Sequence, residues 1–265
     1  MCSKHKMTVE TYALSFVDIL GQKAKLEQLD DNSLNKKEIQ KIFKETFGAV
    51  KEFRNCFTST FETIEKRSIS SEEKYNSNQL KTDSFSDLMT NYVSLRNDTN
   101  LLPLKGIYSL MLATGGTFLQ MLSIGIPVRG AIEVGKGIVH TLNGHEELYG
   151  SALSEAYSLE SKAEYPRIII GKFLYEYVKI IASGIATSDT DKINQEYAIK
   201  CLSMISTDHD GCYILNYLSS AFPADSVIYR KALSTIDREL LIAKSNKKLE
   251  HRYNKLRVFF EENRV

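Results

Sequence analysis

Hydrophobic and polar positions along this chain switch repeatedly between a strand-like and a helical rhythm. Residues 11–18, TYALSFVD, read as a strand that ends in a carboxylate. Ile19-Leu20-Gly21 then turns the chain, and a helix is expected over 22–29. Residues 36–66 carry Ile39, Ile42, Phe43, Phe47, Val50, Phe53 and Phe57 at helical spacing. That spacing predicts one long amphipathic helix with the aromatics against the core. Residues 68–78, SISSEEKYNSN, are polar and predict a mobile insertion. In 80–95, Phe85, Asp87 and Met89 alternate with Ser86 and Leu88, which fits a hairpin with Asp83 and Asp87 near its bend. An apolar helix over 104–123 leads through Gly125-Ile126-Pro127 into another strand.

That strand opens the densest stretch of the chain, residues 129–167. Val128 to Gly135 alternates and ends in a glycine turn, and a second short strand is expected over 136–139. Asn143-Gly144 signals a turn, and Glu146-Glu147-Leu148-Tyr149 reads as an acidic loop. Gly150 introduces a helix from Ser151, along which Leu153, Ala156, Tyr157 and Glu160 share a face. Pro166 ends it, and 167–170 reads as a buried strand. The rest is helical over 173–186, 189–200, 226–248 and 250–263. The turn Asp208-His209-Asp210-Gly211, followed by an apolar run, interrupts it. Three adjacent metal-type residues invite a metal reading, but neighbours in one turn rarely converge on one ion.

With 265 residues, 43% hydrophobic, the chain has material for one large domain with a helical appendage. A net charge of +1 implies no strong field for nucleic acid or anionic lipid. Cys2, Cys56, Cys201 and Cys212 have no metal spacing and read as free thiols of a reducing, cytoplasmic setting. The opening MCSKHKM lacks the apolar core of a signal peptide, and 107–128 is too interrupted for a membrane span. No membrane partner and no nucleic acid are expected.

Two carboxylates stand out. Asp18 closes a strand beside a glycine turn, a common setting for metal and phosphate sites, though also that of a plain helix cap. Asp87 lies in the hairpin and could face Asp18 across paired strands, an arrangement suited to a hard divalent cation. The alternative for Asp87 is a solvated hairpin tip.

Together, FVDILG at 16–21, FSD at 85–87, RGAIEVG at 129–135 and YGSALSEAYSLE at 149–160 resemble a class III nucleotidyl cyclase. Tyr165-Pro166-Arg167-Ile168 and the Asp208-to-Gly211 turn bring the chain closer to the bacterial pyrimidine cyclases of the Pycsar anti-phage systems. The resemblance implies an α/β sandwich with a ferredoxin-like βαββαβ core over 8–186, carrying a helical insertion near 36–78. A mostly helical extension would follow over 187–265. It implies a homodimer with active sites at the interface, and two divalent ions, Mn2+ or Mg2+, held by Asp18, Asp87 and the Ile19 carbonyl. The amides of Leu20 and Gly21 would hold the triphosphate of UTP or CTP. Asp83 and Glu147 stand where the family reads the base, and a carboxylate there accepts hydrogen bonds from a pyrimidine. Tyr149 would stack on the base or simply pack. Ser154 and Ser158 occupy helix positions where the wider class has Asn and Arg. A missing cation there needs a substitute, and Lys23 and Arg129 are the candidates. Their plainer readings are a solvated helix face and an ion pair at a strand start. The product, cyclic UMP or cyclic CMP, would signal to a cyclic-nucleotide-sensing effector.

Overall fold

The computed structural model describes residues 8–66, 78–95, 102–142, 145–219 and 226–263. The insertion expected at 68–78, except Asn78, and the turn at Asn143-Gly144 lie outside these described residues.

Strand β1 (Glu10–Ile19) leads through a short helix α1 (Gln22–Leu26) to the long helix α2 (Lys36–Lys66). Strands β2 (Lys81–Phe85) and β3 (Leu88–Ser94) form the hairpin, and α3 (Pro103–Ser123) returns the chain to β4 (Val128–Leu142). β1 pairs antiparallel with both β3 and β4, and β2 pairs antiparallel with β3. The order β2-β3-β1-β4 is that of a ferredoxin-like βαββαβ core, as expected. β1 is thus central, which explains why six consecutive residues, Tyr12 to Val17, are buried rather than alternating. One face of β1, with Ala13, Val17 and Ile19, packs with Phe53, Phe57 and Phe61 of α2 and with α3. The other face, with Tyr12, Leu14 and Phe16, packs with Ala152 and Ala156.

Those alanines belong to α4 (Ser151–Ser161), which follows β5 (His145–Gly150). Here the expectation needs correction. The acidic stretch Glu146 to Tyr149 is part of strand β5, paired with β4 from Gly137 to Leu142. β4 is one strand of 15 residues, not two short ones. Backbone pairing accepts charged side chains wherever the strand is open to water, so the charge that suggested a loop does not exclude a strand. Gly150 joins β5 to α4 because a Cβ there would lie 2.3 Å from the Lys136 carbonyl oxygen.

Beyond α4, β6 (Ile168–Ile170) runs parallel to β4, and α5 (Lys172–Ser183) and α6 (Asp189–Ser203) follow. The later residues are not helical throughout. β7 (Ile205–Thr207) and β8 (Tyr213–Leu215) extend the same sheet, β8 against β6. The predicted helix over 226–248 ends sooner, as α7 (Ser226–Ile242), and α8 (Lys247–Glu262) restarts with Asn246 accepting a bond from the Leu249 amide.

The aromatic stripe of α2 divides. Phe53 and Phe57 are buried, but Phe43 and Phe47 are 53% and 70% exposed. A 31-residue helix is about 46 Å long, and its buried residues begin only at Thr46. At its far end Glu65, itself buried, accepts the Asn78 amide at 3.0 Å and the Ser109 hydroxyl. Among the described residues no helix is long and apolar enough to cross a membrane.

Candidate active site

β1 delivers Asp18 to the end of the sheet. Alternation places it on the face of Tyr12, Leu14 and Phe16, opposite Leu88 of β3 and Arg129 of β4. The β2–β3 turn passes directly beside it. Ser86 adopts a left-handed φ of 56°, and the Asp87 carbonyl accepts the Ile19 amide at 3.3 Å. The structure therefore brings Asp18 and Asp87 together, though they are far apart in sequence. The N-cap of α1 is Gly21, so Asp18 is not a helix cap. Burial lifts the Asp18 carboxyl above its ordinary range, Arg129 opposes this, and the charge of Asp87 adds to it.

Arg129 meets two acids. Its Nη2 lies 3.2 Å from Asp18 Oδ2, and its Nε is ion-paired with Glu160 of α4. Glu160 is 3% exposed, and burial, more than anything else, raises its carboxyl. Sequence reasoning placed Glu160 on the packed face of its helix and gave it no role. An acid on an apolar helix face, three positions beyond a tyrosine, was the signal available.

The turn after β1 holds Gly21 at φ 83°, a conformation that favours glycine. The Leu20 amide, expected to face phosphate, donates to the Pro127 carbonyl at 2.9 Å. Lys23 is largely exposed and sits 3.7 Å from Glu27. Of the two substitute cations, Arg129 pairs with Asp18 whereas Lys23 pairs with Glu27.

The base-reading candidates separate. Lys81 of β2 is 2.6 Å from Glu146, and the charges of Glu146 and Asp83 both bear on Tyr92, pushed up to about 12 by burial above all. Asp83 and Glu146 thus share one face. Glu147 and Tyr149 alternate to the opposite face of β5 from Glu146 and the buried Leu148, and both are exposed. Ser154 and Ser158 are exposed on α4.

Carboxylate oxygens in partial burial, one charge raising the other's proton affinity, are donor chemistry that fits a hard dication. Among the described residues no group of three or more His, Cys, Asp or Glu side chains is arranged to hold a metal ion. Asp18 and Asp87 would therefore need backbone, water or phosphate oxygens to complete a coordination shell.

The Asp208–Asp210 turn shows a different outcome. Both carboxylates do converge, on the buried guanidinium of Arg167. Asp208 also accepts the Tyr165 hydroxyl at 2.8 Å. The Arg167 pairing, with the Cys212 amide assisting, pulls Asp210 down to about 2. His209 instead lies 3.2 Å from Glu262. A cavity of about 400 Å³ between this turn and α8 is lined by these groups.

No family model matches the chain, and no curated protein matches it. Among solved structures the adenylyl cyclase CyaB from P. aeruginosa is similar, with a TM-score of 0.48 and 13% identity over 66% of this chain and 83% of that one. A bacterial light-regulated adenylyl cyclase gives 0.46 and 9%, over 88% of this chain and 59% of that one. A guanylyl cyclase gives 0.41 and 13%, over 64% and 79%. Likenesses this remote concern backbone shape and carry no argument about chemistry.

Proposed function

We propose that the chain is a nucleotidyl cyclase that converts UTP or CTP to the 3′,5′-cyclic monophosphate and pyrophosphate. The observation that carries this reading is the meeting of Asp18, at the end of β1, with Asp87 in the adjacent hairpin turn. The two carboxylates and the Ile19 carbonyl would hold two Mn2+ or Mg2+ ions. When bound, such ions lower the pKa of the 3′-hydroxyl and neutralise the triphosphate. The residues do the rest by placement. The left-handed turn at Gly21 brings backbone close to the phosphates without a side chain in the way. Arg129 supplies the cation next to Asp18 that the serines of α4 do not. Bending one nucleotide so that its 3′-oxygen faces the α-phosphorus makes the reaction intramolecular. The new 3′-O–P bond forms as the bond to pyrophosphate breaks, and the hydroxyl proton leaves to solvent.

Pyrimidine preference rests on acceptors where a purine reader would differ. Asp83 remains a candidate, and its neighbour across the sheet face is Glu146 rather than Glu147. A second copy of the chain would complete each site, and a diffusible cyclic pyrimidine would act on an effector in anti-phage defence. The sequence motifs at 129–135 and 149–160 support that part.

A second reading has its own observations. Arg129 already neutralises Asp18, the Leu20 amide is committed to Pro127, and Ser154 and Ser158 carry no charge. These favour a cyclase-like dimer that binds nucleotide without turnover. Incubation with each of the four nucleoside triphosphates and Mn2+ or Mg2+, read by mass spectrometry, separates the readings. A cyclic pyrimidine is the expected product. No product with retained nucleotide binding would establish the binding module, and cyclic AMP or GMP a purine cyclase.

A further inference from the structure

Arg129 is gripped at two depths. Glu160, with a side chain 4% exposed, holds its Nε from inside the α4 packing. Asp18, 17% exposed, meets Nη2 on the open side. The backbone cannot relax this arrangement, because Arg129 is paired opposite Asp18 in the β1–β4 ladder. Close packing of Ala131 with Ala163, Leu159 and Ile169 fixes the end of α4 beside it.

We propose that Glu160 is a positioning residue that anchors Arg129 and offsets its repulsion of a nearby cation, so that the Asp18 carboxylate can pass from the guanidinium to a divalent cation. This rests on the two-ion reading of Asp18 and Asp87. Three carboxylates and one guanidinium leave an excess of two negative charges, which one dication balances. With Gln at position 160, Asp18 becomes the guanidinium's only acidic partner of the two. Arg129 then competes with the cation for the same oxygens and repels it. The fork geometry matters too, because separate nitrogens serve the two acids and one pair can open while the other stays closed.

The test is Mn2+ binding to the full chain without nucleotide, followed by the electron paramagnetic resonance signal of free Mn2+, with thermal melting alongside. Asp18→Asn is expected to abolish binding. Glu160→Gln is expected to weaken it about tenfold or more, through the lost charge and the freed guanidinium. The double variant Arg129→Gln/Glu160→Gln removes both and should return to within about threefold of wild type, the signature of a coupled pair. An unchanged Kd in Glu160→Gln, even with a lowered Tm, assigns Glu160 a structural role and overturns the proposal. So does a double variant as weak as the single one. Should Glu160→Gln fail to fold, Glu160→Asp, whose shorter arm draws the anchor back, is expected to weaken binding by about threefold, and no change there overturns the idea equally. Binding lost in Asp18→Asn but untouched at position 160 sinks this inference alone. Wild-type protein with no Asp18-dependent binding sinks the two-ion reading with it.

Discussion

Two arginines in this molecule each face two acids, and they differ in what that does to the acids. Arg167 is buried between Asp208 and Asp210, with Tyr165 completing the coordination of Asp208. There an acid is stabilised as an anion, and Asp210 falls to about 2. Arg129 stands between Asp18 and Glu160, yet both acids are raised. Here burial outweighs the attraction of the guanidinium, and Asp87 adds a further negative charge beside Asp18. One cluster holds Asp210 firmly as an anion, although a single guanidinium faces two carboxylates. The other has a third carboxylate, Asp87, beside it, and raised acids of this kind collect at functional sites.

The contrast can be broken most forcefully at Asp87. Asp87→Ala should lower product formation by on the order of 10³-fold or more while the protein still melts cooperatively. Product at the wild-type rate would remove Asp87 from the site. At the Arg167 cluster the effect falls on stability instead. Arg167→Met should cost about 3 kcal/mol in urea unfolding, because it strands the Asp208 charge, whose side chain is only 10% exposed. A loss below about 1 kcal/mol would show that the cluster is as loosely held as a surface pair.

The smallest effect concerns pH, and the signs are opposite. Asp210 is depressed, so its contribution is present above the ordinary carboxylate pKa and is lost as pH falls from about 4 toward about 2. Asp210→Asn should flatten that acid limb. Asp18 is raised, so its contribution is present below the ordinary value and declines as pH rises through its folded pKa. Metal-free Asp18→Asn should accordingly melt at or slightly above the wild-type Tm at neutral pH. A clear drop would mean the Arg129 pairing outweighs burial.

The ferredoxin-like core was legible because its signals are local: strand composition, helical spacing over 104–123, and Gly or Pro between elements. β5 was not, because its register depends on β4 and its own residues are mostly charged. Phe43 and Phe47 misled because spacing tells which helix face is apolar but not where along the helix burial begins. Within the candidate site, Asp18 and Asp87 were visible as a strand end and a hairpin bend. The Glu160–Arg129 link spans 31 positions and the Arg167–Asp208 link 41, distances over which one sequence gives no pairing signal. The same absence hid the face shared by Asp83 and Glu146, which only strand alternation in the assembled sheet decides.

Asn78 and Glu65 clasp the two ends of the segment between them, with Ser109 of α3 closing the clasp from beneath. Loop-closure entropy grows only slowly with length once the ends are held. Extra residues added between Glu65 and Asn78 should therefore cost little stability as long as this clasp is kept, and Glu65→Ala should make the same addition costly.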